Sequence, residues 1–232
     1  MVRHVRRRAR VAAPLGRVRA VLFDWGDTLF HAPHAPEVIV SAAREAGVGV
    51  SEVDARGLWD EIWTAGKTPE EIGKGRDLSP EAHRRVWIDL FARADRVAPG
   101  LSRALYEQVM DPHSWVPYAD TGPVLRELRA RRLRIGVVSN VPADLRPVFA
   151  KHRLDSLVDS FTHSFEVGAE KPDPAIFLAA AKSLGVAPNE TLMVGDHPVD
   201  AGAERAGMRV FILPGEIDGE VRGLKRVVDL VK

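Results

Sequence analysis

Val21-Leu-Phe-Asp24-Trp-Gly-Asp27-Thr28-Leu29-Phe30 decides how this chain is read. It begins as Arg19-Ala-Val-Leu-Phe23, a short apolar run of the size of a buried strand in a parallel sheet. It stops abruptly at a carboxylate, Asp24, with Gly26, Asp27 and Thr28 behind it. Asp, Gly and Thr are ordinary turn residues. In open α/β sheets, however, ligands bind just past the carboxyl ends of the strands, and a carboxylate at that place can act on a ligand rather than pack.

Downstream of residue 116 the same pattern repeats. Helical patterns over Gly122–Arg132, Asp144–His152, Asp173–Leu184, Val199–Ala206 and Asp218–Val231 alternate with strand-like runs. Those runs are Leu133–Val138, Phe161–Ser164, Thr191–Val194 and Met208–Leu213. This alternation predicts a parallel sheet with helices on both faces. Residues 31–116 differ, being rich in Ala, Glu, Arg and Trp with helical spacing over Glu37–Ala46, Val53–Ala65, Ser79 to about Ala94, and Ser102–Met110. Ser79-Pro80-Glu81 has the order of a helix start, with a cap, then Pro, then an acid. The tryptophans, among them Trp59 and Trp63 four apart on one face, read as the core of a small bundle rather than a stacking platform. The expected fold class is therefore α/β, a Rossmann-like parallel core with a helical block inserted after the first strand. The expected divisions are a basic arm over 1–18, a core over 19–30 and 117–232, and a helical insertion over 31–116 that sits above the carboxyl edge of the sheet.

Composition narrows the chemistry. The 232 residues include no cysteine, which excludes thiolate metal sites, disulfides and thiol nucleophiles. The net charge of +1 conceals an asymmetry: residues 1–23 hold seven Arg and no acid, so the remainder is mildly acidic. Met1-Val-Arg-His-Val-Arg-Arg-Arg-Ala-Arg10 has no apolar stretch after it for a secretion signal and no interleaved aromatics for nucleic acid, so a solvated leader is the expectation. No apolar run has the length of a membrane span. The expected setting is cytoplasmic, with no nucleic-acid or membrane partner.

Four predicted strands end in polar groups: Asp24 with Asp27 and Thr28, Ser139 with Asn140, Lys171 after the short strand, and Asp196 with Asp200. In a parallel sheet all four gather at one edge. Carboxylates supply oxygen ligands for Mg²⁺, and an ammonium with a hydroxyl holds phosphoryl oxygens. Together, Asp24-x-x-x-Thr28-Leu29, Ser139-Asn140, Lys171-Pro-Asp-Pro174 and Gly195-Asp196-x-x-x-Asp200 resemble the four motifs of the haloacid dehalogenase superfamily over residues 19–213.

The resemblance implies a hydrolase, with the insertion as a cap of the kind placed directly after the first motif. It implies Asp24 as nucleophile, Thr28, Ser139 and Asn140 at the substrate phosphate, and Lys171 neutralising charge on both phosphate and Asp24. It implies Mg²⁺ held by Asp24, the Gly26 carbonyl, Asp196 and Asp200, and a small phosphorylated metabolite as substrate. One position departs from the pattern. The family's phosphatases carry an acid/base Asp two residues after the nucleophile, and here Gly26 stands there with Asp27 behind it. Three explanations stay open: Asp27 reaches the site through a distorted loop; another group, from the cap or His31 or His34, substitutes; or the protein is slow or acts on good leaving groups. Branches that also lack that Asp, the haloacid dehalogenases and the phosphonate hydrolases with a cap lysine (Lys67 or Lys74 here), form the alternative, together with a feeble ligand-binding or regulatory protein.

Overall fold

A computed structural model of the protein describes residues 17–214 and 220–231; the arginine-rich stretch 1–16 lies outside the described residues. β1 (Ala20–Phe23) is buried at every residue because the sheet is covered on both faces. Val21 and Phe23 join one apolar cluster, while Ala20 and Leu22 join the other, as the two-residue period of a strand requires. Val18, 6 % exposed, already belongs to the first cluster, so the core begins one residue earlier than the predicted boundary at 19.

A two-residue strand, β2 (Phe30–His31), follows the loop after β1. The chain then enters helices α1 (Ala35–Glu45), α2 (Glu52–Gly66), α3 (Pro69–Ile72), α4 (Pro80–Phe91) and α5 (Leu101–Val109), and returns through β3 (Val116–Pro117), which pairs antiparallel with β2. This ribbon, absent from the sequence reading because it is only two residues long, ties the helical block to the core at its neck. The block has its own apolar cluster, drawn from Ile39, Leu58, Ile62, Trp87, Phe91 and Leu105 among others. Ser79 caps α4 as expected, its Oγ accepting the Ala82 N–H at 3.1 Å.

Beyond the ribbon come α6 (Thr121–Ala130), β4 (Arg134–Ser139), α7 (Arg146–Lys151), β5 (Ser160–His163), α8 (Ser164–Val167), α9 (Pro174–Leu184), β6 (Thr191–Gly195), β7 (Arg209–Ile212) and α10 (Lys225–Leu230). All pairings in the main sheet are parallel, in the order β5-β4-β1-β6-β7. β1 is central, with the strands of each half running outward from it, so the crevice beyond its carboxyl end is a topological switch point. The predicted helix over Val199–Ala206 is a tighter, three-residue-per-turn helix spanning Pro198–Ala206.

The predicted final helix starts too early. Its residues 218–219 lie outside the described stretch, and helix begins only at Lys225. Gly223 takes φ 86°, and the Asp120 carboxylate accepts the N–H groups of Arg222, Gly223 and Leu224 at 3.0, 2.9 and 2.7 Å. That carboxylate competes with helix for the same donors. Among the described residues no helix is long and apolar enough to cross a membrane.

Candidate active site

The register builds the site. Phe23 pairs with Val137 on one side and Val194 on the other, and the Asp24 N–H donates to the Val194 carbonyl at 2.9 Å. Asp24, Ser139 and Asp196 are thereby brought to the same edge. Lys171, from the loop after α8, is 1 % exposed; its Nζ lies 2.7 Å from Asp200 Oδ1 and 2.8 Å from Asp24 Oδ1. Asp24, Asp196 and Asp200 each offer an oxygen within 4.8 Å of the others. The Thr28 hydroxyl donates to Asp196 Oδ1 at 2.8 Å, and the His197 N–H to Asp200 Oδ2 at 3.1 Å. Gly195 is needed for this packing, since a Cβ there would overlap the Asp200 carboxylate.

Electrostatics favour a cation between these groups. Burial, then the Asp200 and Asp196 charges, push the Asp24 carboxyl up to about 7 against the opposing pull of Lys171. Asp196 is likewise pushed up, first by burial, with Asp27 and Asp200 adding to the effect against the Thr28 hydrogen bond. Lys171 is buried, which by itself disfavours its charge, yet Asp200 and Asp24 hold it protonated. One ammonium does not balance three crowded carboxylates, and an all-oxygen cluster suits a hard divalent ion such as Mg²⁺.

Asn140 and Thr28 turn out to be engaged with protein groups. The Asn140 carboxamide donates to the Lys171 carbonyl at 2.9 Å and accepts the Lys171 N–H at 2.7 Å, fixing the backbone that presents the ammonium. Thr28 is fully buried and orients Asp196. Ser139 lines the cavity beside Asp24 and Lys171.

The Gly26–Asp27 departure has a visible cause and consequence. A Cβ built on Gly26 would lie 3.1 Å from Cζ3 and 3.3 Å from Cη2 of Trp115. That indole is stacked on Trp25 at 4.4 Å and donates from Nε1 to the Val109 carbonyl at 2.9 Å, so it is pinned where a side chain on residue 26 would go. Asp27 takes φ 53°, a left-handed conformation that Asp tolerates, and its carbonyl accepts from Arg222 Nε at 2.5 Å. Burial pushes its carboxyl up while Lys67, Arg222 and His31 pull it down. His31 packs against Tyr118 with tilted rings 5.0 Å apart and His34 pairs with Glu37 at 3.3 Å; neither lines the cavity.

The cavity, of about 190 Å³, lies between the sheet edge and the helical block. Its lower wall carries Asp24, Asp27, Ser139, Lys171 and Asp196; its upper wall carries Trp63, Lys67, Arg76, Asp77, His83 and Trp87. Trp63 and Trp87 stack at 5.7 Å and also face this space, so the bundle's aromatic core doubles as part of the cavity wall. Arg76, Asp77, His83 and His197 escaped the sequence reading. They sit on short turns and a helix face whose placement depends on contacts distant in the chain.

The order of motifs along a parallel sheet, their convergence and the helical insertion after the first of them match one known family, and comparison with known proteins decides it: the family model described as haloacid dehalogenase-like hydrolase matches residues 18–207. The chain belongs to the haloacid dehalogenase-like hydrolases. A glyceraldehyde 3-phosphate phosphatase from Methanopyrus kandleri is 30 % identical over 210 residues, 82 % of each chain. Among solved structures, a HAD phosphatase from Thermococcus onnurineus is 25 % identical with a TM-score of 0.60, over 92 % of this chain and 98 % of that one. A defluorinating L-2-haloacid dehalogenase is 26 % identical with a TM-score of 0.64, over 87 % and 86 %. This family member is a hydrolase with phosphatase relatives.

Proposed function

We propose that this hydrolase is a Mg²⁺-dependent phosphatase of small phosphorylated metabolites, working through an aspartyl-phosphate on Asp24. The single observation that carries the reading is Lys171, whose buried ammonium bridges Asp24 and Asp200 beside Asp196 and Ser139. Asp24 attacks phosphorus in line; Lys171 and Ser139 hold the phosphoryl oxygens, and Asn140 keeps Lys171 in place. Asp24, Asp196, Asp200 and the Gly26 carbonyl would hold Mg²⁺, which when bound offsets charge on the phosphoryl oxygens. Water then cleaves the acyl phosphate, and the upper wall, acting as a cap, keeps bulk solvent out. The small cavity supports a small substrate, and the Methanopyrus relative makes glyceraldehyde 3-phosphate a sensible first compound to try.

The dehalogenase alternative gains nothing from the acidic trio, which serves a cation rather than a carbon–halogen bond. The phosphonate alternative needs a desolvated lysine, and Lys67 is exposed while Lys74 pairs with Glu71 at 2.6 Å. The reading is tested by phosphate release from a panel of phosphorylated metabolites with and without Mg²⁺, with chloroacetate as a control. Asp24→Asn is expected to fall below about a thousandth of wild type. Halide release from chloroacetate without Mg²⁺ contradicts the reading.

A further inference from the structure

We propose that the proton donor to the leaving group is Asp77, on the upper wall, rather than Asp27. The inference rests on the phosphatase reading and deepens it. In-line attack by Asp24 points the leaving oxygen away from the sheet edge and toward the wall opposite, where Asp77 lines the cavity. The slot two residues after the nucleophile cannot supply the proton, because residue 26 has no side chain and the Trp115 indole fills the space. Asp27 belongs to the nucleophile's own loop on the lower wall, not to the wall that the leaving oxygen faces; burial pushes its carboxyl up, with Lys67, Arg222 and His31 opposing.

Asp77 is placed with more care than a surface turn requires. Its N–H donates to Glu170 Oε1 at 2.8 Å and its carbonyl accepts from Ser164 Oγ at 2.5 Å, so its backbone is pinned to the core loop that carries Lys171. Its carboxyl, by contrast, is left loosely held. Arg76 Nε stands at 3.5 Å and His83 Nε2 at 3.7 Å. Arg76 also donates from Nη1 to the Gly66 carbonyl at 2.6 Å and lies over the Trp87 ring, while His83 Nδ1 is 3.0 Å from the Tyr106 hydroxyl. Burial pushes the Asp77 carboxyl up to about 7, with Glu170 adding to the effect and Arg76 and Lys171 opposing it; burial holds His83 neutral. An acid so placed carries a proton near neutral pH and has room to give it up.

The step balances. The Asp24 carboxylate oxygen bonds to phosphorus, the ester P–O bond breaks, and the leaving oxygen takes the Asp77 proton. The Asp77 carboxylate then accepts a proton from the water that attacks phosphorus, and the P–O bond to Asp24 breaks with release of phosphate.

The test is single-turnover release of the phenol from dinitrophenyl, nitrophenyl and phenyl phosphate with Mg²⁺. Wild type is expected to show little dependence on the leaving group. Asp77→Asn, which keeps the shape of the protonated acid, is expected to lose about 10²-fold or more on phenyl phosphate and less than about threefold on the dinitrophenyl ester. Asp77→Ser gives the same slope, and Asp27→Asn leaves it flat. An equal loss on all three esters in both Asp77 variants, or a steep dependence in Asp27→Asn instead, overturns the proposal and leaves the phosphatase reading standing. A wild-type enzyme that releases phosphate from no ester overturns both.

Discussion

On the sheet side of the cavity, Lys171 holds Asp200 at 2.7 Å and Asp24 at 2.8 Å, while Thr28, Asn140 and the His197 N–H fix the groups around them. On the helical side, the nitrogens nearest the Asp77 carboxyl stand at 3.5 and 3.7 Å, and the Trp87 indole N–H is buried without a hydrogen-bond partner. Both walls are buried; the charged groups of the lower wall are held by short, direct contacts, although the Trp25 indole N–H beside Asp24 is buried without a partner, whereas the Asp77 carboxyl above is not so held. The lower wall is preorganised for charge that is the same in every turnover, that of a phosphoryl group and its counter-ion. The upper wall retains unspent hydrogen-bonding capacity, which is what a surface must have if a ligand is to complete it.

The largest effect that separates the walls is on stability. Lys171→Met leaves Asp24 and Asp200 buried and facing each other, and is expected to cost about 3–5 kcal/mol. Urea denaturation measures it; a loss below about 1 kcal/mol would mean that the lower wall is not held by this ammonium. Next in size is Gly26→Asp. Restoring an acid at that position looks helpful from sequence alone, yet its Cβ meets a pinned indole. It is expected to cost about 1–3 kcal/mol through overpacking and to leave activity no higher than wild type. Thermal denaturation with a parallel assay checks both, and a stable, faster Gly26→Asp would show that the indole yields easily.

The effect that belongs to the upper wall is spread over a range of pH. A carboxyl whose pKa is higher in the folded than in the unfolded chain binds its proton more tightly when folded. Its contribution is therefore full below the unfolded pKa near 4 and is lost as pH rises toward about 7. Arg76, His83, Glu170 and Lys171 face Asp77 from its own turn, from α4 and from the core loop. Asp77→Asn removes this contribution. Its stability is expected to fall less steeply than wild type between pH 4 and 7, by at most about 1.4 kcal/mol per pH unit. Parallel curves would mean that Asp77 is ionised like an exposed carboxylate.

The same contrast explains what could be read from the amino-acid string. Much of the lower wall was legible because Asp24, Ser139 and Asp196 each follow an apolar run that stops at a polar residue, and parallel pairing alone then gathers them, while Lys171, in the loop after α8, was marked by its motif. A local signal also gave the cap at Ser79, which accepts the Ala82 N–H. The upper wall was not legible. Asp77 lies on a three-residue turn, and what fixes it comes from Ser164 and Glu170, far along the chain. The Trp115 ring occupies the Gly26 slot through a contact that no local pattern encodes. The early start expected for the last helix failed for a similar reason, since Asp120, remote in sequence, captures the N–H groups that a helix would have used.

Acid quench of the enzyme during turnover of a phosphomonoester with Mg²⁺, followed by mass spectrometry of its peptides, tests the central claim most directly. The account expects one phosphoryl group on the peptide containing Asp24, absent in Asp24→Asn and without substrate. Steady phosphate release with no phosphorylated Asp24 at any quench time, or a phosphoryl group on a different residue, would contradict it.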